Sequence, residues 1–111
     1  MPARSTAFMT GVPELLILKL LSERQMYGYE IAKAVQASTS EALALGEGVL
    51  YPALHALQVA GALRARSMVV DGRKRVYYTL TARGQRRLQD LTQRWRQVSG
   101  AVQTVLGGAY G

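Results

Sequence analysis

Residues 63–80 read LRARSMVVDGRKRVYYTL, and this stretch decides the fold. Two β-rich segments, 63–70 and 73–80, flank Asp71-Gly72, a dipeptide preferred in two-residue turns between antiparallel strands. The second segment alternates between a face turned toward the core (Val76, Tyr78, Leu80) and a face turned away from it (Arg75, Tyr77, Thr79). The stretch therefore predicts a β-hairpin with three consecutive cations just after its tip: Arg73, Lys74 and Arg75.

Two helices are predicted near the start of the chain. Pro13 suits the first turn of a helix, because the N–H that proline lacks is not needed there. The apolar run Leu15–Leu21 continues this helix and predicts that it is deeply buried. A second helix of about ten residues begins at Gly28, with Ile31 and Val35 on one apolar face at i, i+4 spacing.

A third helix is predicted from Gly48 or Val49 to Gly61, the glycine placed to close it. Pro52 must then fall in or near the first turn, because deeper in the helix its ring would clash with the preceding turn. The i, i+4, i+7 spacing of Leu50, Leu54 and Leu57 predicts a core stripe. The side chains left on the other faces are small, aromatic or hydrogen-bonding, which suits contact with a partner: Val49, Tyr51, Pro52, His55 and Gln58.

The chain after the hairpin predicts a long terminal helix. Thr81 is its N-cap, and the helix runs to about Leu106, nearly 40 Å at ~1.5 Å per residue. Apolar residues recur along it at alternating spacings of 3 and 4, as in the a/d seam of a coiled coil: Leu88, Leu91, Trp95, Val98, Val102 and Val105. A seam of this kind, on a helix longer than one small domain needs, predicts a homodimer.

Three helices, a basic hairpin and a long helix give the predicted fold class. It is mainly α with a small sheet (α+β): a winged helix-turn-helix with a long C-terminal dimerisation helix. We divide the 111 residues into an N-terminal arm (1–12), a winged helix-turn-helix DNA-binding domain (13–81), a dimerisation helix (82–106) and a flexible tail (107–111). With 49% hydrophobic and 19% charged residues, the composition is that of a globular chain with one core.

Several signals indicate a cytoplasmic protein. The absence of cysteine removes disulfides and thiolate metal sites, and it suits a reducing compartment. Met1–Gly11 lacks the apolar core of a signal peptide. The strongest apolar run is interrupted by Lys19 and is too short to span a bilayer. We therefore expect a soluble protein with no membrane partner.

The formal charge of +7 is concentrated in the second half of the chain. Residues 1–63 hold four basic and five acidic side chains, a net −1, whereas residues 64–111 hold ten basic and two acidic side chains, a net +8. A one-sided field of this kind raises the local concentration of a polyanion. Nucleic acid is the leading candidate. The alternatives are an anionic membrane surface and a merely solvated helix face, the simplest interpretation of Arg86 and Arg87.

The residue set argues against an enzyme and against a metal site. No Ser-His-acid set, paired carboxylates or phosphate-binding glycine loop can be assembled. His55 is the only histidine, and no cysteine is present to complete a ligand set with it. No cofactor is expected. The main alternative to DNA binding is a winged-helix module for protein–protein contact, which would not need a net +8 in its second half.

Four ordered motifs resemble the PadR family of transcriptional regulators. They are YGYEI at 27–31, GVLYPALHAL at 48–57, Gly61, and RKRVYYTLTARG at 73–84. The resemblance covers roughly residues 13–106, and the single C-terminal helix resembles the compact subfamily. It implies a homodimeric repressor whose third helix enters the major groove of a palindromic operator and whose wing touches the flanking DNA backbone.

The resemblance also implies the roles of individual residues. Tyr29 and Lys33 would approach phosphates, Val49, Tyr51, Pro52 and His55 would face the major groove, and Arg73, Lys74 and Arg75 would form the wing contact. Val49 replaces the hydroxyl residue common in the family, so it offers only apolar contact, for instance to a thymine methyl. The position of Tyr51 near a helix N-terminus favours a phosphate contact, whereas Tyr78 is expected to pack inward.

Trp95, the only tryptophan, lies in the middle of the predicted seam. In a two-fold dimer the two copies would approach each other across the axis, where two indole faces form a slot for a flat or cationic ligand. Some PadR-family members release DNA on binding aromatic small molecules, and the resemblance places Trp95 at such a slot. The alternative is that Trp95 only fills the dimer core, as large aromatic residues commonly do at interfaces.

Overall fold

The computed structural model describes residues 11–108, which form four α-helices and a three-stranded sheet. In chain order the elements are α1 (Val12–Glu23), β1 (Met26–Tyr27), α2 (Gly28–Ser38), α3 (Glu47–Val59), β2 (Leu63–Val70), β3 (Arg73–Leu80) and α4 (Ala82–Leu106). Residues 1–10 of the predicted arm and 109–111 of the predicted tail lie outside the described residues. The element order confirms the predicted winged helix-turn-helix with a long C-terminal helix. Between residues 11 and 108, no helix combines the length and apolarity needed to cross a bilayer.

The hairpin has the predicted turn and belongs to a larger sheet than the sequence indicated. Asp71 and Gly72 both have positive φ, 51° and 75°, as a type I′ turn requires. β2 and β3 pair along their full length, and Met26 and Tyr27 of β1 pair with the other edge of β3, giving the order β1-β3-β2. β1 was not predicted, because a strand of two residues shows no alternation.

The core confirms the predicted apolar stripes and joins every helix to the sheet. Its buried hydrophobic residues are Ile17, Leu18, Leu21, Met26, Ile31, Val35, Leu45, Leu50, Leu54, Leu57, Ala62, Leu63 and Leu88. Tyr78 and Leu80 of β3 pack against this cluster. Burial raises the pKa of Tyr78 above its ordinary value, and nearby Tyr51 raises it further.

A compact junction connects α3, the hairpin and α4. Gly61 has a φ of +80°, and the N–H of Ala62 donates to the Leu57 carbonyl at 2.9 Å, closing α3 as predicted. Thr81 is the predicted N-cap of α4: its hydroxyl oxygen accepts the N–H of Gly84 at 3.0 Å. The same hydroxyl donates to the Gly61 carbonyl at 2.6 Å. One threonine side chain therefore ties the end of α3 to the start of α4.

α3 begins earlier than predicted. Gly46 is the N-cap and Glu47 the first helical residue, so Pro52 is the sixth residue and lies in the second turn, not in or near the first. An internal proline costs about 3 kcal/mol in an isolated helix. Here Leu50 and Leu54, two residues to either side, are 2% and 0% exposed. Their packing holds the helix together where local propensity alone would end it.

The inward face of the hairpin reaches the core only near its base. Val76 was predicted to point inward to the core, but it is 41% exposed, and Val69 on the same face is 75% exposed. Leu63 and Leu80, at the base, do contact the core. The prediction for Val76 was wrong because the outer half of the hairpin extends beyond the helices, where alternation no longer determines burial.

α4 packs on its own chain only through its first half. Leu88 is 6% exposed and Leu91 packs against the core, so Leu88 belongs to the core of its own chain rather than to an exposed seam. Arg87 donates from Nε to Glu14 of α1, and this hydrogen bond is the main cause of the raised pKa of Arg87. Arg87 is therefore not merely part of a solvated face, because α4 folds back against α1. Beyond Leu91, the remaining residues of the predicted seam are exposed.

Candidate nucleic-acid interface

The exposed surface of α3 carries the four residues predicted to face DNA, but they do not form one row. Pro52 and His55 lie near its centre, and both are exposed. Val49 and Tyr51, 48% and 46% exposed, are about 200° apart at ~100° per residue, so they occupy opposite margins. Val59 is 75% exposed near the helix end and was not singled out from the sequence. This surface offers apolar contacts, with His55 as a hydrogen-bonding group at its centre.

Tyr51 is positioned by the first residue of α2. A Cβ added to Gly28 would lie 2.5 Å from Tyr51 Oη and 2.9 Å from Tyr51 Cζ, which is closer than ordinary Cβ contacts. Gly28 is buried, so the space that its missing side chain leaves is occupied by the phenol ring. The ring therefore connects the start of α2 to α3 while remaining 46% exposed. The spacing of the two motifs in the sequence does not reveal this contact.

A series of aromatic and cationic side chains runs from α2 to the wing. Lys33 Nζ lies 5.5 Å from the centroid of the Tyr29 ring, and the Tyr29 and Tyr27 rings stack with centroids 6.3 Å apart. Arg75 Cζ lies 4.5 Å from the Tyr27 centroid, and Tyr77 meets Tyr27 edge-on at 5.4 Å. We call these five residues the Tyr27 cluster. Cation–π contacts hold Lys33 and Arg75 at the surface without neutralising their charge.

Arg73 and Lys74 form the exposed, cationic part of the wing tip. Four ion pairs occur within residues 11–108, and none of them includes a residue of the hairpin. Asp71, in the turn, is the only acidic residue of residues 63–80. The structure thus places Arg73 and Lys74 at the tip, whereas Arg75, the third predicted wing residue, lies over Tyr27.

Direct contacts connect the three predicted groups. α3 contacts α2 through Tyr51 and Gly28, and Tyr27, the β1 residue that is the N-cap of α2, contacts Arg75 of the wing. Glu47 is the one acidic residue of α3 and lies in its first turn, where a carboxylate stabilises the helix dipole. In the described part of the chain, no cluster of metal-ligating side chains is present. The chemistry that this surface supplies is cationic, aromatic and hydrogen-bonding.

The second half of α4 carries the remaining seam residues on an open surface. Trp95, Val98, Val102 and Val105 are 49%, 59%, 49% and 59% exposed. Trp95 and Val98 also line an open cavity of about 240 Å³ between α4 and the start of α1, where Leu15 and Leu91 form part of the wall. The single chain therefore leaves a continuous apolar strip on α4 uncovered.

Comparison with known proteins identifies one family. Residues 17–90 match the transcriptional regulator PadR-like family. A transcriptional regulator of Mycobacterium tuberculosis is 32% identical over 101 residues, which cover 91% of this chain and 89% of that protein. A transcriptional regulator from Clostridium thermocellum superposes with a TM-score of 0.82 at 26% identity, covering 88% of this chain and 96% of that one. A PadR-like transcriptional regulator from Bacillus cereus superposes with a TM-score of 0.78 at 30% identity, covering 92% of this chain and 98% of that one.

These similarities confirm both the resemblance predicted from the motifs and the winged-helix fold. All three relatives are transcriptional regulators rather than enzymes. They cover 88–92% of this chain. The chain therefore belongs to the PadR-like family of transcriptional regulators.

Proposed function

We propose that this chain is a homodimeric repressor that binds an inverted-repeat operator, with α3 of each protomer in the major groove. The observation that carries the proposal is the contiguous surface of α3, the Tyr27 cluster and the wing tip. Within residues 11–108, none of the hairpin cations on this surface is neutralised by an ion pair. A role on chromosomal DNA also fits the cytoplasmic location expected from the sequence.

The exposed strip on α4 supports the homodimer. Its four residues follow the 4, 3, 4, 3 spacing from Leu91 onward, and a soluble monomer rarely leaves such a contiguous apolar strip open. A second copy of α4 is the simplest cover, because a two-fold contact pairs identical surfaces. We propose that Leu91, Trp95, Val98, Val102 and Val105 form this interface. Leu88 is left out because it is buried in its own chain.

The three contact groups are proposed to have separate roles on DNA. Val49, Pro52 and His55 face the base edges, where Val49 contacts a thymine methyl and the His55 imidazole forms a hydrogen bond. The other predicted residues hold the sugar-phosphate backbone and fix the register of α3 without reading sequence. They are Tyr29, Lys33, Tyr51, Arg73, Lys74 and Arg75.

The experiment is a salt titration of binding to a fluorescent mixed-sequence duplex, followed by anisotropy. The logarithm of the binding constant should fall linearly with the logarithm of salt concentration, because protein cations that bind phosphates release counterions from the DNA. Lys74→Gln should weaken binding. It should also reduce the magnitude of the slope of log binding constant against log salt by about 0.9 for each protomer whose Lys74 binds a phosphate, or about 1.8 per dimer. Arg86→Gln removes the same charge from an exposed position on α4 and should leave the slope unchanged. Salt-independent binding, or none, would favour the protein-binding alternative.

We also propose that an aromatic small molecule releases the DNA, and that it occupies a cavity including Trp95. The open, mainly apolar cavity of about 240 Å³ beside Trp95 supports this as one wall of the site. It is smaller than the roughly 300–1,000 Å³ of a complete small-molecule pocket, so the second protomer of the proposed dimer would supply the rest. Such an effector must bind the DNA-free dimer more tightly than the DNA-bound dimer, since only a difference in affinity can shift the equilibrium. Planar aromatic cations and phenolic acids are the probes. Quenching of Trp95 fluorescence together with weaker DNA binding is expected, whereas quenching that leaves DNA affinity intact contradicts the effector role.

A further inference from the structure

The face of α4 opposite its apolar strip carries a row of glutamines. Gln85, Gln89, Gln93 and Gln97 recur every four residues, and all four side chains are exposed. At ~100° per residue, the middle of this row lies about 180° around the helix from the middle of the strip. The homodimer proposed above covers the strip, so the glutamine row would stay open in it.

A cavity between the glutamine row and α1 has the volume of a small-molecule pocket. It measures about 620 Å³, and pockets that hold a whole small molecule measure roughly 300–1,000 Å³. The residues that line it are the four glutamines, Leu88, Thr92 and Arg96 of α4, and Lys19 of α1. Leu88 is the one apolar residue of the wall and is only 6% exposed. Polar groups of two helices therefore converge on one cavity.

The charged groups of this cavity favour an anion. Lys19 and Arg96 line it, and none of its lining residues is acidic. Four ion pairs occur within residues 11–108, and Arg96 belongs to none of them. Lys19 is paired with Glu23 at 3.8 Å, but both side chains are more than half exposed, where such a pair contributes little. An anion in the cavity would therefore meet two cations whose charge the protein leaves nearly uncompensated.

The glutamine amides indicate hydroxyl groups on the same ligand. Within the described part of the chain, none of the four side-chain amides is hydrogen-bonded to another protein group. A simple anion only accepts hydrogen bonds, so it would leave the amide oxygens unused. A hydroxyl group donates and accepts, and it therefore matches both the amides and the hydroxyl of Thr92.

We propose that this cavity binds a small anion that carries several hydroxyl groups, of the class of sugar phosphates and sugar acids. Lys19 and Arg96 attract its anionic group, and the glutamine row forms hydrogen bonds with its hydroxyl groups. The site is separate from the surface proposed to bind DNA and from the cavity beside Trp95, so the proposal rests on neither. The ligand contacts α1 and α4 of the same protomer, so its binding should stabilise the folded chain.

The test is isothermal titration calorimetry of the full-length protein, at constant ionic strength, with four probes. Glucose 6-phosphate and gluconate carry hydroxyl groups and a negative charge, glucose lacks the charge, and inorganic phosphate lacks the sugar hydroxyls. At least one of the two hydroxylated anions should bind at one site per protomer with a Kd of about 1 mM or tighter. Glucose and inorganic phosphate should each bind at least about 10-fold more weakly than that anion. At about ten times its Kd, the bound anion should raise Tm by about 6 °C.

Two pairs of variants locate the binding. Lys19→Gln/Arg96→Gln and Gln89→Ala/Gln93→Ala should each weaken binding of that anion at least about 10-fold. Their matched controls change exposed residues outside the cavity and should keep the wild-type Kd: Arg64→Gln/Arg66→Gln and Gln36→Ala/Gln103→Ala. The cavity residues replaced are exposed as well, so every variant should keep the Tm of the ligand-free wild type.

Three results would overturn the proposal. The first is that neither glucose 6-phosphate nor gluconate binds. The second is that glucose or inorganic phosphate binds as tightly as the hydroxylated anions. The third is that the cavity variants and their controls have the same Kd. DNA is absent from every titration, so these results leave the proposed repressor function to its own tests.

Discussion

Gly84→Ala should destabilise the protein even though alanine is the better helix former. Gly84 lies in the first turn of α4, where a Cβ would overlap the Ala62 carbonyl oxygen and lie 2.7 Å from Leu80 Cδ1. The carbonyl oxygen is not free to move, because it accepts the Thr81 N–H at 3.1 Å. Relief of the overlap must therefore separate α4 from the end of α3.

The magnitude follows from two opposing effects. Overpacking of a tight contact costs typically 1–3 kcal/mol, and a backbone neighbour that cannot yield puts the cost of Gly84→Ala at about 3 kcal/mol. The gain in helix propensity from Gly to Ala is about 1 kcal/mol. The net loss is about 2 kcal/mol in the free energy of unfolding, which corresponds to a fall in Tm of about 8 °C for a chain of this length.

The assay is thermal unfolding followed by circular dichroism, at one protomer concentration because a dimer's Tm depends on it. Gly100→Ala is the matched control: it makes the same change on the same helix, where no atom lies within 4 Å of the added Cβ. It should raise Tm by about 4 °C, from about 1 kcal/mol of helix propensity. Equal Tm values for the two variants would refute the role assigned to the junction.

Three further predictions concern dimerisation, Tyr51 and Tyr78. Val98→Glu places a charge in the exposed strip of α4, and sedimentation should show a folded monomer; a dimer as stable as the wild type would contradict the proposed interface. Gly28→Ala should displace Tyr51 and weaken DNA binding. The double variant Gly28→Ala/Tyr51→Ala should bind DNA no more weakly than Gly28→Ala alone, and additive effects would contradict the coupling of the two residues. In an alkaline titration followed by ultraviolet difference absorbance, Tyr78→Phe should remove an ionisation step that lies above the ordinary tyrosine pKa of 10.0. Because the folded pKa of Tyr78 is raised, its contribution to stability is present below the ordinary pKa of 10.0 and is lost as pH rises through the folded value.

The parts of the fold that depend on local chemistry could be predicted from the sequence. Asp71-Gly72 specifies a turn because both residues tolerate positive φ. Gly61 closes α3 for the same reason. Thr81 caps α4 through an oxygen that needs a donor only three residues away. Each of these signals acts over a few residues, so one sequence is enough to recognise it.

Contacts between distant positions could not be predicted in the same way. Gly28 admits the Tyr51 ring, Arg75 lies over Tyr27, and Arg87 pairs with Glu14. Each pair is brought together by the packing of separate elements, and residue spacing gives no distance between them. The burial of Leu88 could not be predicted for the same reason. A heptad pattern does not show whether the residues that cover it belong to the same chain or to a second copy.

The sequence predicted part of the candidate nucleic-acid interface, and it also indicated the orientation of two further hairpin arginines, a signal that was not used. The cations after the turn were predicted to bind DNA, whereas Arg64 and Arg66, two exposed arginines before the turn, were not singled out. The turn at Asp71-Gly72 fixes the strand register, and that register sets Arg66 opposite Tyr77, on the outward face. Extending the alternation to the first strand would have placed both arginines on that face.

The most direct test of the central claim is selection of bound duplexes from a random-sequence pool by the full-length protein, followed by sequencing. Two symmetry-related α3 helices predict an inverted repeat whose half-sites are one helical turn apart, about 10–10.5 base pairs, or a multiple of it. His55→Ala should relax the preference at one position in each half-site, since that residue is proposed to contact a base edge. An enriched inverted repeat is the predicted result. A pool that shows no enrichment, or a single site without symmetry, would contradict the account of a dimer reading DNA through α3.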